Sequence, residues 1–180
     1  MNDLQQAVAR LQAGGVIAYP TETVYGLGCD PVNESAVLRI LELKQRPVDK
    51  GLILIAATAD QFKRYIDPAT FARYPHVLES WPGPNTWLIP CKPDTPRWLR
   101  GDFDTLAVRV IDHPVATSLC KLFNGPIVST SANPAGHEPA MSALEVKTYF
   151  PDTLDMILNG NVGSGAVSTI RDAETRQLIR

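Results

Sequence analysis

Lys44, Arg46 and Lys50 fall within seven positions of LELKQRPVDKGLILIA, after a helical stretch and ahead of an apolar run. Cations this close together in a proline-containing loop can clamp a polyphosphate, because charge-assisted hydrogen bonds to phosphate oxygens are strong. The same cations near a helix C-terminus also complement its dipole, so position alone does not separate binding from capping. A second polar group starts at Tyr19 in YPTETVYGLGCD, where Thr21, Glu22, Thr23 and Tyr25 follow a short apolar run and precede Gly26 and Gly28. Arg109 stands alone in apolar LAVRV, STSANPAG carries Ser129, Ser131 and Asn133, and VSTIRD carries Ser168. A guanidinium inside such a strand either pairs with a scaffold carboxylate or grips a ligand carboxylate at two points.

These residues need elements to hold them. Leu4, Val8 and Leu11 recur on one helical face, and Gly14-Gly15 ends that helix. Asn33 is placed to cap a second helix carrying Val37, Ile40 and Leu41, which must stop before Pro47. Further helices are predicted over residues 60–66, 69–78, 114–123 and 142–150. Strands are predicted over residues 16–19, 52–56, 86–89, 105–110, 126–130, 154–158, 167–170 and 177–179. Helices alternating with strands imply a mixed α/β sheet, and in such sheets the ligand crevice lies at strand ends. Four of the loaded segments, PTETVYGLG, LAVRV, STSANPAG and VSTIRD, lie at or in strand ends, so convergence on one site is expected. The competing reading is that Ser, Thr, Asn and Pro are there as turn formers.

Composition narrows the function classes. The chain has 180 residues, 44% of them hydrophobic, which suits one domain over residues 1–180 with a full core. Its net charge is -2, so no global basic field recommends nucleic acid as the main ligand, and any anion site must be local. No apolar run approaches the roughly 20 residues of a membrane span, and the expected location is cytoplasmic. Cys29, Cys91 and Cys120 are widely separated, as are His76, His113 and His137, so neither a disulfide framework nor a structural metal site is expected. No P-loop motif occurs, and the glycines of NGNVGSGAVST lack the strand-to-helix context of a dinucleotide fingerprint. That stretch reads as a flexible loop.

YPTETVYGLG, the Lys-x-Arg of LKQRP, KGLILIA, WPGPNTW, LAVRV, STSAN and STIRD occur in the order found in the YrdC-like family, which the chain resembles from about Val16 to Arg180. The resemblance implies a twisted, mostly open α/β sheet with flanking helices and a positive concave site. It also implies an enzyme, a nucleotidyltransferase, that joins L-threonine, bicarbonate or CO2 and ATP into threonylcarbamoyl-AMP with release of diphosphate. A separate tRNA threonylcarbamoyl-transfer complex would then use the product at adenosine 37. By the same resemblance Thr21, Tyr25, Arg109, Ser129 and Ser168 bind threonine. Lys44 and Arg46 with Ser131 and Asn133 surround the ATP phosphates and are the catalytic set, while Lys50, Thr105 and Arg180 are further nucleotide residues and Arg176 a lesser candidate. Where longer relatives often carry asparagine after the Lys-x-Arg, this chain has Lys50. Mg2+ is expected to accompany ATP. The family's concavity has also suggested direct binding of double-stranded RNA, which keeps a non-catalytic RNA-binding factor as the alternative. A carbamoyl-phosphate-dependent transferase is a third reading, because YrdC-like domains also sit inside larger hydrogenase-maturation proteins.

Overall fold

A computed structural model describes residues 2–163 and 167–180. Helix α1 (Asp3–Gln12) starts at a capping box in which Asn2 accepts from the Gln5 amide and Gln5 reaches back to Asn2. Strands β1 (Ile17–Pro20) and β2 (Tyr25–Gly28) form a hairpin, followed by α2 (Glu34–Leu43), which Asn33 caps. A short 3-10 turn, Val48–Lys50, leads into β3 (Ile53–Ala56). Then come a 3-10 segment, Ala59–Arg64, helices α3 (Pro68–Arg73) and α4 (Pro75–Glu79), and β4 (Asn85–Pro90). The rest comprises α5 (Arg97–Arg100), β5 (Thr105–Val110), α6 (Pro114–Phe123), β6 (Ile127–Ser131), α7 (Ala143–Tyr149), β7 (Met156–Ile157) and β8 (Thr169–Asp172).

The strands make one eight-stranded mixed sheet in the order β7-β1-β2-β6-β3-β5-β4-β8. β1 runs parallel to β7, β3 to β5 and β4 to β8, while the remaining neighbours are antiparallel. Strand side chains alternate between faces, and the sequence uses that period. Leu54 and Ala56 of β3 join Leu106, Val108 and Val110 of β5 in a core with Val37, Ile40 and Leu41 of α2. Ile55 points the other way and joins Ile17, Tyr19 and Ile127 under α1 and α6. A smaller cluster packs Tyr25 and Leu27 against Val146 and Phe150 at α7. No helix among the described residues is long and apolar enough to cross a membrane.

The structure corrects several expected elements. Residues 25–28, which fall outside the predicted strands, are a strand in which the glycines make room for an aromatic ring. A Cβ at Gly28 would meet the Val128 carbonyl oxygen and lie 2.7 Å from Tyr19 Cε1. The helix expected over residues 69–78 breaks at Tyr74, which precedes Pro75 and leaves helical geometry at φ -128°, ψ 63°. The helix expected over 60–66 is a 3-10 segment over Ala59–Arg64 instead. Gln61 there accepts from the Ala57 amide and donates to the Cys120 carbonyl, tying it to its neighbours. The strand expected over 167–170 lies at Thr169–Asp172, and residues 177–179 contribute only an isolated bridge between Arg171 and Leu178. Helix α5 was not expected, since four residues are too few to show a period. Within the Gly-rich stretch of residues 159–169, Ser164, Gly165 and Ala166 lie outside the described residues.

Candidate active site

The alternation that builds the core also builds the site. Ile53 of β3 pairs with Ala107 of β5 and with Ser129 of β6, while Ala107 pairs with Leu88 of β4. These residues share one face of the sheet and, with Thr105, Arg109 and Ser131, line a cavity of about 640 Å³. The apolar residues between them, Leu106, Val108 and Val128, are buried in the core on the other face. LAVRV therefore reads as Leu106, Val108 and Val110 inward and Ala107 and Arg109 toward the cavity. Apart from the lesser candidate Arg176, all of the predicted site residues, from Thr21 and Tyr25 through Lys44, Arg46 and Lys50 to Ser168 and Arg180, line this one cavity. Its described lining includes Lys44, Arg46, Lys50, Arg100, Arg109 and Arg180 and no aspartate or glutamate. The molecule as a whole carries a net negative charge, so this concentration of cations is local.

One end of the cavity is arranged around Lys44, the C-cap of α2. Its Nζ donates to the carbonyl oxygens of Ser131 at 2.6 Å and Asn133 at 2.9 Å, and to Asn133 Oδ1 at 3.3 Å. Burial, with Arg46 and Arg180 close by, pushes the Lys44 pKa down to about 8. Arg46 donates from Nε and Nη2 to the Gly51 carbonyl at 3.1 and 2.9 Å, which closes the loop around the 3-10 turn. Lys50, in that turn, is exposed. Arg180 arrives on a segment that returns along β8. The Ile170 amide donates to the Arg180 carbonyl at 2.9 Å, and the Ile179 amide to the Ile170 carbonyl at 2.8 Å. Burial, then Arg46 and Arg109, push the Arg180 pKa below the ordinary guanidinium value. Arg180 thus lies within electrostatic reach of both Arg46 and Arg109.

At the other end Arg109 is only 4% exposed. Burial pushes its pKa down, and Glu22, which stands 3.7 Å from its Nε, acts in the opposite sense. Ser129 stands on β6, across the intervening strand β3, in register with Ile53 and Ala107. Ser168 accepts a hydrogen bond from the buried Thr86 hydroxyl at 3.1 Å, which leaves the Ser168 proton free to point elsewhere. Thr21 is engaged in its own turn, accepting from the Thr23 and Val24 amides and donating to the Val24 carbonyl at 2.7 Å. The Tyr25 hydroxyl donates to the carbonyls of Leu158 and Gly160 at 3.2 and 2.9 Å. The Tyr25 ring lines the cavity while its hydroxyl secures the chain after β7.

Sequence reasoning missed several residues. Thr86 gives no signal in PNTWLIP, because its value lies in orienting Ser168, 82 positions away. Arg100 lines the cavity but spends its guanidinium on the carbonyls of Thr95 and Phe103. Leu99, Phe103 and Ile179 add an apolar part to the lining, which a search for polar chemistry overlooks. Arg176 is not among the lining residues. Among the described residues no group of three or more His, Cys, Asp or Glu could hold a metal ion.

The class is thus an α/β protein with a mixed sheet whose open face carries a cavity rich in cations and in serine and threonine hydroxyls. The family model for Sua5, YciO and YrdC proteins, described as "Telomere recombination", matches residues 9–180, and the chain belongs to that family. A threonylcarbamoyl-AMP synthase from Stutzerimonas stutzeri (strain A1501) is 51% identical over 178 residues, covering 98% of this chain and 96% of that protein. The crystal structure of P. abyssi Sua5 complexed with L-threonine is similar with a TM-score of 0.87 and 35% identity, covering 94% of this chain and 50% of that one. The present chain thus spans half of that Sua5 chain. E. coli YciO is similar with a TM-score of 0.84 and 28% identity, covering 98% of this chain and 87% of that chain.

Proposed function

We propose that this protein is a nucleotidyltransferase that makes threonylcarbamoyl-AMP and diphosphate from L-threonine, bicarbonate or CO2, and ATP, the first step of threonylcarbamoyladenosine formation in tRNA. The observation that carries this reading is the joining, in one cavity, of a polycationic end around Lys44, Arg46 and Arg180 with a single buried guanidinium, Arg109, among hydroxyls. The first suits a triphosphate and the second an amino-acid carboxylate. A relative that is 51% identical and named for this product, and a similar structure with L-threonine bound, support the assignment.

The chemistry asks for positioning and charge neutralisation. The threonine amine, once deprotonated, condenses with bicarbonate to a carbamate with loss of water. A carbamate oxygen then attacks the α-phosphorus, and the bond to the β-phosphate oxygen breaks as diphosphate leaves. Arg109, with Ser129 and Ser168, would hold the threonine carboxylate. Lys44 and Arg46, with Ser131 and Asn133 at the next strand end, would face the phosphates and stabilise charge that grows on the leaving diphosphate. Lys50, Thr105 and Arg180 would extend that contact, and Leu99, Phe103 and Ile179 offer an apolar surface to the adenine ring. Mg2+ would enter as part of the substrate, Mg·ATP. The cavity's described lining contains no carboxylate and so does not fit a resident cation. Transfer of the product to a separate tRNA-modifying complex in the cytoplasm completes the proposal.

Incubation with Mg·ATP, L-threonine and labelled bicarbonate is expected to yield a labelled adenylate, with diphosphate release that requires all three substrates. Release at full rate without threonine would identify a simple ATPase and overturn the reading.

A further inference from the structure

The reaction as drawn leaves the ion pair between Arg109 and Glu22 without a task. Glu22 sits in the turn between β1 and β2, between Thr21 and Thr23, which both line the cavity; Glu22 itself is not among the lining residues. Its side chain is 13% exposed, and both carboxylate oxygens are buried without a hydrogen-bond donor. The Arg109 Nε is likewise buried without an acceptor. A buried carboxylate with empty lone pairs is tolerable only beside a counter-charge, and Arg109 is the one at hand. Yet the 3.7 Å separation is too long for a hydrogen bond, so the pair is poorly made for a purely scaffolding role.

Its geometry suits a different role. A guanidinium is a rigid planar fork, so a charge that attracts its Nε edge from behind the cavity wall sets the direction in which the other nitrogens point. The pair also divides the cavity electrically. Arg109 has a buried carboxylate against it, whereas Lys44 lies close to Arg46 and Arg180 and donates only to neutral oxygens.

Building on the proposed reaction, we infer that Glu22 is a positioning and specificity residue for the amino-acid end of the cavity. It aims the Arg109 fork at the substrate carboxylate, and by partly neutralising Arg109 it keeps that end suited to a singly charged carboxylate and unattractive to phosphate. Polyphosphate is thereby directed to the other end, where Arg46 and Arg180 add their charge to that of Lys44.

Glu22→Gln keeps the shape and removes the charge. The expected result is a rise of about tenfold in the KM for threonine with the KM for ATP within twofold of the parent, and diphosphate that competes with threonine as well as with ATP. In an Arg109→Lys background, which has already lost the fork, Glu22→Gln adds less than about twofold. Glu22→Asp, which keeps the charge but withdraws it by one methylene, is expected to raise the threonine KM severalfold without the change in diphosphate inhibition. It serves as the test if the Gln variant does not fold. A threonine KM and an inhibition pattern equal to the parent's in a folded Gln variant, or a parental threonine KM in the Asp variant, would overturn the inference. Threonine titrated calorimetrically into the parent protein separates the two levels of argument. No binding there removes the proposed reaction, while parental binding matched by the variants removes only the role of Glu22.

Discussion

The side-chain nitrogen of Lys44 lies 2.9 Å from the carbonyl oxygen of Asn133, a residue 89 positions further along the chain. With the Ser131 carbonyl at 2.6 Å, these acceptors hold the ammonium at the mouth of the strand end in which β6 finishes. An ammonium that is mostly buried, and near two guanidinium groups, pays in desolvation and repulsion for its charge. An anionic ligand would reverse that balance.

Lys44 therefore yields a prediction in protons. Its pKa near 8 leaves it about half neutral at pH 8, and a bound triphosphate would restore the charge, so ATP binding at pH 8 should take up about half a proton. Calorimetry in buffers of different ionisation enthalpy measures this directly, and Lys44→Arg should abolish it. The sign for folding follows from the same shift. The folded pKa lies below the ordinary 10.5, so the charged form costs stability below about pH 8, and that cost fades as pH rises from 8 toward 10.5.

Arg46 is expected to show two losses at once. Its guanidinium donates twice to the Gly51 carbonyl as well as lining the cavity, so Arg46→Ala should weaken ATP binding and also lower stability by about 1–2 kcal/mol. ATP titrations read beside urea unfolding curves check both. An ATP affinity equal to the parent's, with stability lost, would leave Arg46 a loop clasp alone.

For Arg109 the conservative and the drastic substitutions should part ways. Arg109→Lys keeps a charge opposite Glu22 but loses the fork, and should raise the threonine Kd about tenfold to a hundredfold with ATP binding unchanged. Arg109→Ala strands the Glu22 carboxylate in a buried place and should cost about 3–5 kcal/mol of stability. Threonine and ATP titrations of the Lys variant, with a denaturation curve for the Ala variant, test the pair. Unchanged threonine binding in a well-folded Arg109→Lys protein would end the carboxylate assignment.

Gly28→Ala tests the hairpin itself. The added methyl group would press on the Tyr19 ring and on the Val128 carbonyl, to which the Tyr19 hydroxyl donates at 3.1 Å. Overpacking of this kind costs about 1–3 kcal/mol, to be read from the urea midpoint. Gly125→Ala is the control for a glycine replaced without crowding, because, like Gly28, it has no positive φ, and the added group would meet only the Phe123 ring at 3.8 Å. It should cost clearly less.

What could be read in advance divides along physical lines. The helical spacing in α1 and α2 is a local signal, and both elements formed as it indicates. The convergence of Arg109, Ser129 and Ser168 on one cavity could be anticipated because each sits in or beside the end of a strand, whereas Lys44 comes from the C-cap of α2. The hairpin strand β2 was hidden, since Gly26 and Gly28 argue against a strand by propensity and only the Tyr19 ring explains them. Thr86 and Glu22 were hidden for a related reason. Each acts on a partner far along the chain, and nothing in its own neighbourhood marks the distance.

The position of β6 also bears on how the protein is made. Strands β1 and β2 and the trio β3, β4 and β5 all leave the ribosome before it, yet β6 is the strand that seams β2 to β3. Until residues 127–131 emerge, nothing can join β2 to β3, and any sheet formed by the earlier strands would keep unpaired edges there, the kind of surface that chaperones guard. The cavity straddles this seam, and Ser168 and Arg180 reach it later still. No partly synthesised chain can present the whole site, so occupancy by ATP and threonine would favour only the finished sheet, and these small molecules would act as a late quality check on its assembly.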